Sequence, residues 1–204
     1  MRIVIVDYGM GNIRSIVSTL KHLGVEDIVL GSEFEILNSA DKLILPGVGS
    51  FGKAIAQIKQ KKIDKYLNEV VIENKTPLLG ICLGMQLLGM SSTEDGQNEG
   101  LGYVNGCVLK FDNTIIKVPH VGFNQVKVNN KLKLYDGFND GFADFYFTHS
   151  YRMIGNGNVN QCYCNYQDDF VASFESGNIA GTQFHPELSQ TNGLKLFKNF
   201  LNKF

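Results

Sequence analysis

The chain is expected to fold as an α/β domain with a mostly parallel central sheet flanked by helices and an additional antiparallel β portion. Two observations predict the parallel part, and a third predicts the addition. Short β-rich runs alternate with helical periodicity through the first half, the pattern of a parallel sheet covered on both faces. Gly and Pro punctuate those alternations where a helix must stop or a strand restart. After a loop around residues 94–102, strand patterns dominate until a closing helix.

In order, Ile3 to Val6 is a buried strand, and Ile13, Ile16, Val17, Leu20 and Leu23 recur at helical spacing before Gly24, a helix stop. Ile28–Leu30 and Leu43–Leu45 repeat the strand signal, each followed by a helical pattern. A longer helical stretch covers 52–73, broken near the lysines at 59–62, and Thr76-Pro77 restarts the chain as strand Leu78–Ile81. The second half carries strand patterns at Tyr103–Phe111, Ile115–Val118, Phe123–Val128 and Ala143–Phe147. Ser176-Gly177-Asn178 reads as the turn of a hairpin between Phe170–Glu175 and Ile179–Phe184. Leu194, Phe197, Leu201 and Phe204 share one helical face that closes the fold. No linker, repeat or low-complexity segment divides residues 1–204, so a single domain is expected.

The 204 residues carry 19 Lys plus Arg against 20 Asp plus Glu, a balance that implies no nucleic-acid or membrane-binding face. No apolar stretch approaches the roughly 18 residues of a membrane span, and the start M-R-I-V-I-V-D reads as a strand, not a leader. A cytoplasmic protein is expected, with Cys82, Cys107, Cys162 and Cys164 as thiols. Cys162-x-Cys164 lacks a second pair at ligand spacing, so no metal and no cofactor are expected. Gly9-Met10-Gly11 could open a dinucleotide fingerprint, but Arg14 stands where its third glycine is needed.

Cys82 falls at the turn between strand Leu78–Ile81 and a helix opening at Leu83, inside Gly80-x-Cys82-x-Gly84. That is the cysteine version of a nucleophile elbow, in which flanking glycines give a crowded backbone room. A helix N-terminus beneath a thiol favours the thiolate and offers N–H groups to a developing oxyanion. A buried cysteine in a tight strand–helix junction explains the pentapeptide equally well. Of the four histidines, His22 lies beside Lys21 on the first helix and reads as a surface residue. His185 ends a strand in Q-F-H-P-E, and Pro186 breaks that strand so that the Glu187 carboxylate can fold back onto the imidazole. In a parallel sheet the active crevice lies at the carboxyl ends of the strands, where Cys82 also sits. Cys82, His185 and Glu187 are therefore the candidate nucleophile, base and orienting acid.

G-I-C-L-G-M-Q together with Q-F-H-P-E resembles the triad-type glutamine amidotransferases, whose fold is flavodoxin-like. V-D-Y-G-M-G-N-I, L-P-G-V-G-S-F-G, V-P-H-V-G-F-N and F-T-H-S-Y narrow the resemblance to the glutaminase subunits of imidazole glycerol phosphate synthase, essentially end to end. The resemblance implies hydrolysis of L-glutamine through a Cys82 thioester, with His185 moving the protons. It implies an oxyanion hole from the backbone of Val48 and Leu83, a mobile loop at Gly47 and Gly49, and glutamine held by Gln86, Glu94, Ser150 and Tyr151. It also implies a heterodimer with a (β/α)₈-barrel cyclase, which uses the ammonia to make imidazole glycerol phosphate and AICAR in histidine biosynthesis. Asn12, Pro119 and Phe123 match the face that meets that barrel.

Two departures lie on the same face: Phe123 stands where such subunits usually have tryptophan, and Leu188 where they usually have lysine. Leucine cannot supply the charge that lysine would carry across an interface. Paralogues that feed ammonia to amidation of a sugar in surface-glycan biosynthesis are thus an alternative. A stand-alone cysteine hydrolase of γ-glutamyl substrates is another, and a non-catalytic binding module a third, against which the intact triad argues.

Overall fold

The computed structural model describes residues 1–139, 141–155 and 160–204. The first half follows the strand–helix alternation: β1 (Arg2–Val6), α1 (Ile13–His22), β2 (Asp27–Gly31), α2 (Phe34–Asn38), β3 (Lys42–Leu45), α3 (Phe51–Gln60), α4 (Ile63–Leu67), β4 (Leu78–Ile81) and α5 (Leu83–Leu87). Gly24 takes a φ of +85° just past α1, the left-handed conformation that ends a helix. The break among the lysines is Lys62, at φ 60°, and α4 runs on into a π-turn over Asn68–Glu73.

The second half supplies β5 (Ser91–Ser92), β6 (Asn98–Glu99), β7 (Gly106–Lys110), β8 (His120–Val128), β9 (Gly141–His149), β10 (Tyr151–Gly155), β11 (Asn160–Asn165), β12 (Asp169–Ser176), β13 (Ile179–Thr182) and α6 (Gln190–Lys203). One nine-stranded sheet has the order β2-β1-β3-β4-β13-β12-β11-β8-β9. Its pairings from β2 to β13 are parallel and those from β13 to β9 antiparallel. A second sheet, β10-β7-β5-β6, stands beside it.

The sheet divides the core in two. Along β1, Ile3 and Ile5 join one apolar cluster with α1 and α6, while Val4 and Val6 join the other with α3 and α4. That is the period-two alternation of a strand buried on both faces, and it explains why the parallel strands read as continuous apolar runs. No helix among the described residues is long and apolar enough to cross a membrane.

Three expectations are corrected. Ile115–Val118 is a turn, not a strand: Asp112 Oδ1 accepts from the Thr114 amide at 2.9 Å and the Ile115 and Ile116 amides turn back to the Asp112 carbonyl. This side-chain mimic of a turn outcompetes the ladder that an apolar run alone suggests. Tyr103–Phe111 is a strand only from Gly106, because the Tyr103 and Val104 amides bond to the Leu88 carbonyl at the end of α5. On α6 the buried face is Gly193, Leu196, Phe197, Phe200 and Leu201, with Leu194 and Phe204 at its margin. The Gly193 position faces the Pro186 carbonyl so closely that a Cβ there would lie 1.8 Å from the oxygen, so a side chain has no room on this part of the buried face.

Candidate active site

Cys82 follows β4 directly and adopts φ 54°, ψ −111°, an unusual conformation for a residue with a Cβ. Such a position costs on the order of 1–3 kcal/mol and persists only when its surroundings hold it. The holders are visible: the Cys82 amide donates to the Thr182 carbonyl at 2.7 Å, and the Cys82 carbonyl accepts from the Gln86 amide at 3.1 Å. The glycines beside it are clearance. A Cβ on Gly84 would sit 1.9 Å from the Leu45 carbonyl oxygen, and one on Gly80 would sit 2.9 Å from the Gly84 carbonyl oxygen. Gly47 is pressed against the same turn, where a Cβ would lie 2.6 Å from the Tyr8 hydroxyl and 2.8 Å from the Gly84 nitrogen. Tyr8 in turn donates to the Pro46 carbonyl at 2.7 Å, which ties the loop bearing Val48 and Gly49 over the elbow.

Thr182 pairs with Ile81, so the parallel register brings the exit of β13 to the exit of β4. The strand stops at Thr182, two residues earlier than the apolar pattern suggests, and the His185 amide is held by the Tyr146 carbonyl at 2.8 Å. A short helix, Pro186–Leu188, then returns Glu187 so that its Oε1 lies 2.8 Å from His185 Nδ1, with both side chains almost wholly buried. His185 Nε2 and Glu187 Oε2 are buried with no hydrogen-bond partner. Buried polar atoms are rarely left so, and those that are recur at catalytic centres. Burial alone pulls the His185 pKa down, but the neighbouring charge of Cys82 and the charge and hydrogen bond of Glu187 raise it well above its usual value. The imidazole is accordingly set to carry a proton beside the sulfur.

The cavity at Cys82 measures about 240 Å³. Of the residues singled out from sequence, Val48, Gly49, Leu83, Gln86, Glu94, Ser150 and Tyr151 line it with Cys82. Gly47 lies outside that lining, under the loop. Thr148 and His149 line it as well and were not foreseen. The Thr148 carbonyl stands 3.9 Å from Cys82 Sγ. Gln183, wholly buried, was also missed; its amide nitrogen lies 3.7 Å from the same sulfur. Q-F-H-P-E and F-T-H-S-Y contain these residues, yet nothing in either string tells which side chains point inward. Glu94 accepts the Phe51 amide at 2.9 Å, and burial raises its carboxyl pKa. A larger hollow of about 600 Å³ lies at the other ends of the strands, around Met1, His22 and Lys198, with none of this chemistry.

Phe123 and Leu188 are both exposed, at 50% and 39%. Phe123 borders a shallow hollow with Asp144, Ser189 and Gln190, next to Leu188 in the chain. Asn12 precedes α1, which packs on the Pro186–Leu188 helix, and exposed Pro119 precedes β8.

His149 and its neighbour His120 give a measurable pH dependence. Burial pushes their pKa values down to about 3 and about 4 respectively. An unfolded histidine protonates near 6.5, so below that pH the unfolded chain binds protons that the folded chain refuses. Their contribution is therefore whole above pH 6.5 and is lost on acidification, at a limiting slope of about 1.4 kcal/mol per pH unit for each. His185, raised instead, has the opposite slope at and above pH 6.5 and adds none well below it, where it is charged in both states. Because the raised carboxyls of Glu94 and Glu175 add the opposite slope to any melt, the check is ring titration by NMR. It is expected to find both imidazoles neutral at pH 5; charged rings at that pH would remove the contribution.

Residues 4–204 match the family described as Glutamine amidotransferase class-I. The chain is 42% identical over 203 residues to imidazole glycerol phosphate synthase subunit HisH 2 of Methanococcus maripaludis, covering 98% of this chain and 99% of that one. It is 44% identical to subunit HisH of Methanosarcina acetivorans, at 98% of each chain. Against HisH of Aquifex aeolicus it is 40% identical, over 100% of this chain and 97% of the relative. In fold it is similar to a crystal structure of a glutamine amidotransferase, with a TM-score of 0.75 and 22% identity over 97% of this chain and 96% of the other. A structure of PurLQS from Thermotoga maritima gives a TM-score of 0.74 at 22% identity, over 98% and 97%.

Proposed function

The chain belongs to the class-I glutamine amidotransferases, and on that premise we propose that it is the glutaminase subunit of an imidazole glycerol phosphate synthase, acting in histidine biosynthesis. The observation that carries the chemistry is the buried His185–Glu187 pair, 2.8 Å apart, brought by the β4–β13 register to the strained elbow at Cys82. The relatives at 40–44% identity carry the histidine-pathway name, which favours this reading over amidation of a sugar.

The Cys82 thiolate adds to the side-chain amide carbon of L-glutamine. The oxygen of the tetrahedral intermediate is received by backbone N–H groups of Leu83 and Val48, both of which line the cavity. His185, protonated and oriented by Glu187, gives its proton to the leaving nitrogen as the C–N bond breaks, releasing ammonia and leaving a γ-glutamyl thioester. His185 then takes a proton from water, which adds to the thioester, and glutamate departs with Cys82 restored.

Substrate polarity follows from hydrogen-bond capacity. The Gln86 amide nitrogen already donates to the Tyr151 carbonyl and to Gln183 Oε1, each at 2.9 Å. Its oxygen is left for a ligand, and that oxygen can only accept. Together with the Glu94 carboxylate it suits the α-ammonium of glutamine, while Ser150 and Tyr151 receive the α-carboxylate. Gly49, at φ +109°, permits the Gly47–Gly49 loop to change conformation over the elbow.

The ammonia goes to a cyclase partner, a (β/α)₈ barrel, docked on the face of Asn12, Pro119, Phe123 and Leu188. With tryptophan and lysine replaced there by Phe123 and Leu188, that contact is more apolar and lacks one cation. Residues 1–204 act as one domain, and the four free thiols suit the cytoplasm.

The test is ammonia release from glutamine by the isolated chain, and then by the chain with its cyclase and the ligand of that cyclase. Slow hydrolysis alone and a rise of about 10- to 100-fold in the loaded complex are expected, the usual scale of coupling between sites. Rapid hydrolysis without a partner would point to a stand-alone hydrolase, and a co-purifying enzyme that amidates a sugar would point to a paralogue.

A further inference from the structure

Behind the cavity a line of hydrogen bonds runs from the nucleophile to strand β8. Gln183 Nε2 faces Cys82 Sγ at 3.7 Å; Gln86 Nε2 lies 2.9 Å from both Gln183 Oε1 and the Tyr151 carbonyl. His149 Nδ1 reaches that same carbonyl at 2.8 Å, and His149 Nε2 meets His120 Nδ1 at 3.0 Å. His120 Nε2 meets Asn124 Nδ2 at 3.2 Å, and that nitrogen also lies 3.1 Å from the Asn165 carbonyl.

The direction of every proton follows from two fixed points. A backbone carbonyl only accepts, so Nδ1 of His149 and the nitrogen of Asn124 must donate. The Gln125 amide, 2.7 Å from Asn124 Oδ1, fixes the Asn124 side chain in the same sense. A neutral His149 with its proton on Nδ1 presents a lone pair at Nε2. His120 must then donate from Nδ1 and accept at Nε2, where the Asn124 amide supplies the hydrogen. Both fixed points give the same tautomer. The rings are held by packing as well: His120 is stacked on Tyr166 at 3.9 Å and on Phe147 at 4.9 Å, and His149 sits 5.4 Å from Phe111.

We propose that His120 and His149 are positioning residues of the glutaminase site, a pair locked in the Nδ1–H tautomer that holds the Tyr151 carbonyl and, through Gln86 and Gln183, the sulfur of Cys82. The pair touches no reacting atom. It acts on the cavity wall at Tyr151 and on the orientation of two buried amides, and its far end is β8, the strand that follows Pro119 and carries Phe123. The proposal rests on the glutaminase reading for its kinetic consequence but not for its tautomers.

The test therefore has two arms. In full chain labelled with ¹⁵N-histidine, long-range ¹H–¹⁵N spectra are expected to place the proton of both rings on Nδ1, whereas a free neutral imidazole favours Nε2. An Nε2–H or charged form for either ring overturns the proposal. In the complex with its cyclase, His149→Leu is expected to lower kcat/KM for glutamine about 5- to 10-fold, the effect of removing one of the two donors to the Tyr151 carbonyl. His149→Asn, whose amide nitrogen can occupy the place of Nδ1, is expected to recover most of that loss. Equal activity of the Leu and Asn variants would overturn the positioning role. A wild-type complex that releases no ammonia would instead sink the glutaminase reading, and the spectra would still decide the tautomers.

Discussion

Cys82→Ala is expected to lower ammonia release from glutamine by about 10⁴-fold or more in the loaded complex, the scale seen when a covalent nucleophile is removed. The substitution keeps the Cβ, so the strained turn at φ 54° is neither relieved nor worsened. It deletes the sulfur, and with it the weak contacts to the Thr148 carbonyl and Gln183 Nε2. The loss of a single unstrained hydrogen bond amounts to about 1 kcal/mol, so the variant should melt close to the parent. Function and stability thus separate. The complex gives a further check, since a synthase starved of internal ammonia should still turn over when ammonium salt is added. Retention of more than a few per cent of the glutaminase rate in a folded Cys82→Ala complex would rule out the thioester route.

The parallel half of the fold was legible in the sequence because its strands are buried on both faces, so Leu78–Ile81, restarted by Pro77, and Leu43–Leu45, ended by Pro46, read as runs without charged or polar residues. The antiparallel half was less so. β8 and β9 bury one face and expose Val121, Phe123 and Phe142 on the other, which blurs the alternation. β11 carries an irregularity between Cys162 and Tyr163 that shifts its pattern by one. Ile115–Val118 has strand composition and fails as a strand because Asp112 captures the local amides.

The same division holds at the site. Cys82 and the His185–Glu187 pair announce themselves through glycine spacing and the His-Pro-Glu string, which are local signals. Gln183, His149 and His120 are recognisable only by what the fold sets opposite them. A buried glutamine or histidine has no role until its partner is known, and those partners come from other strands and from α5.

Gly84→Ala is the second large effect, and it tests whether the glycines around Cys82 are clearance. The added Cβ would meet the Leu45 carbonyl oxygen at 1.9 Å and its carbon at 2.8 Å, with the Pro46 carbonyl carbon at 3.2 Å. All three are backbone atoms at the exit of β3, so no rotamer change removes the clash. Either the first turn of α5 retreats from β3 or the β3 exit yields. Overpacking of this kind costs typically 1–3 kcal/mol, and more where only backbone can give. Because Leu83 and Gln86 ride on the same turn, a retreat of about 1 Å also misplaces the nucleophile and the oxyanion donors, a displacement that can cost about 10²-fold in rate. The expected result is a Tm lowered by several degrees together with at least that loss of glutaminase activity. Gly177→Ala is the control. Gly177 has φ +63° and open space around its Cβ position, so alanine there meets only the left-handed backbone penalty, about 1–2 kcal/mol, in a hairpin turn remote from Cys82. Both variants should lose stability, but only Gly84→Ala should lose activity in its folded fraction. If the folded Gly84→Ala complex kept the parent rate, the turn at Cys82 would have room that its neighbours deny, and the glycine would need another explanation.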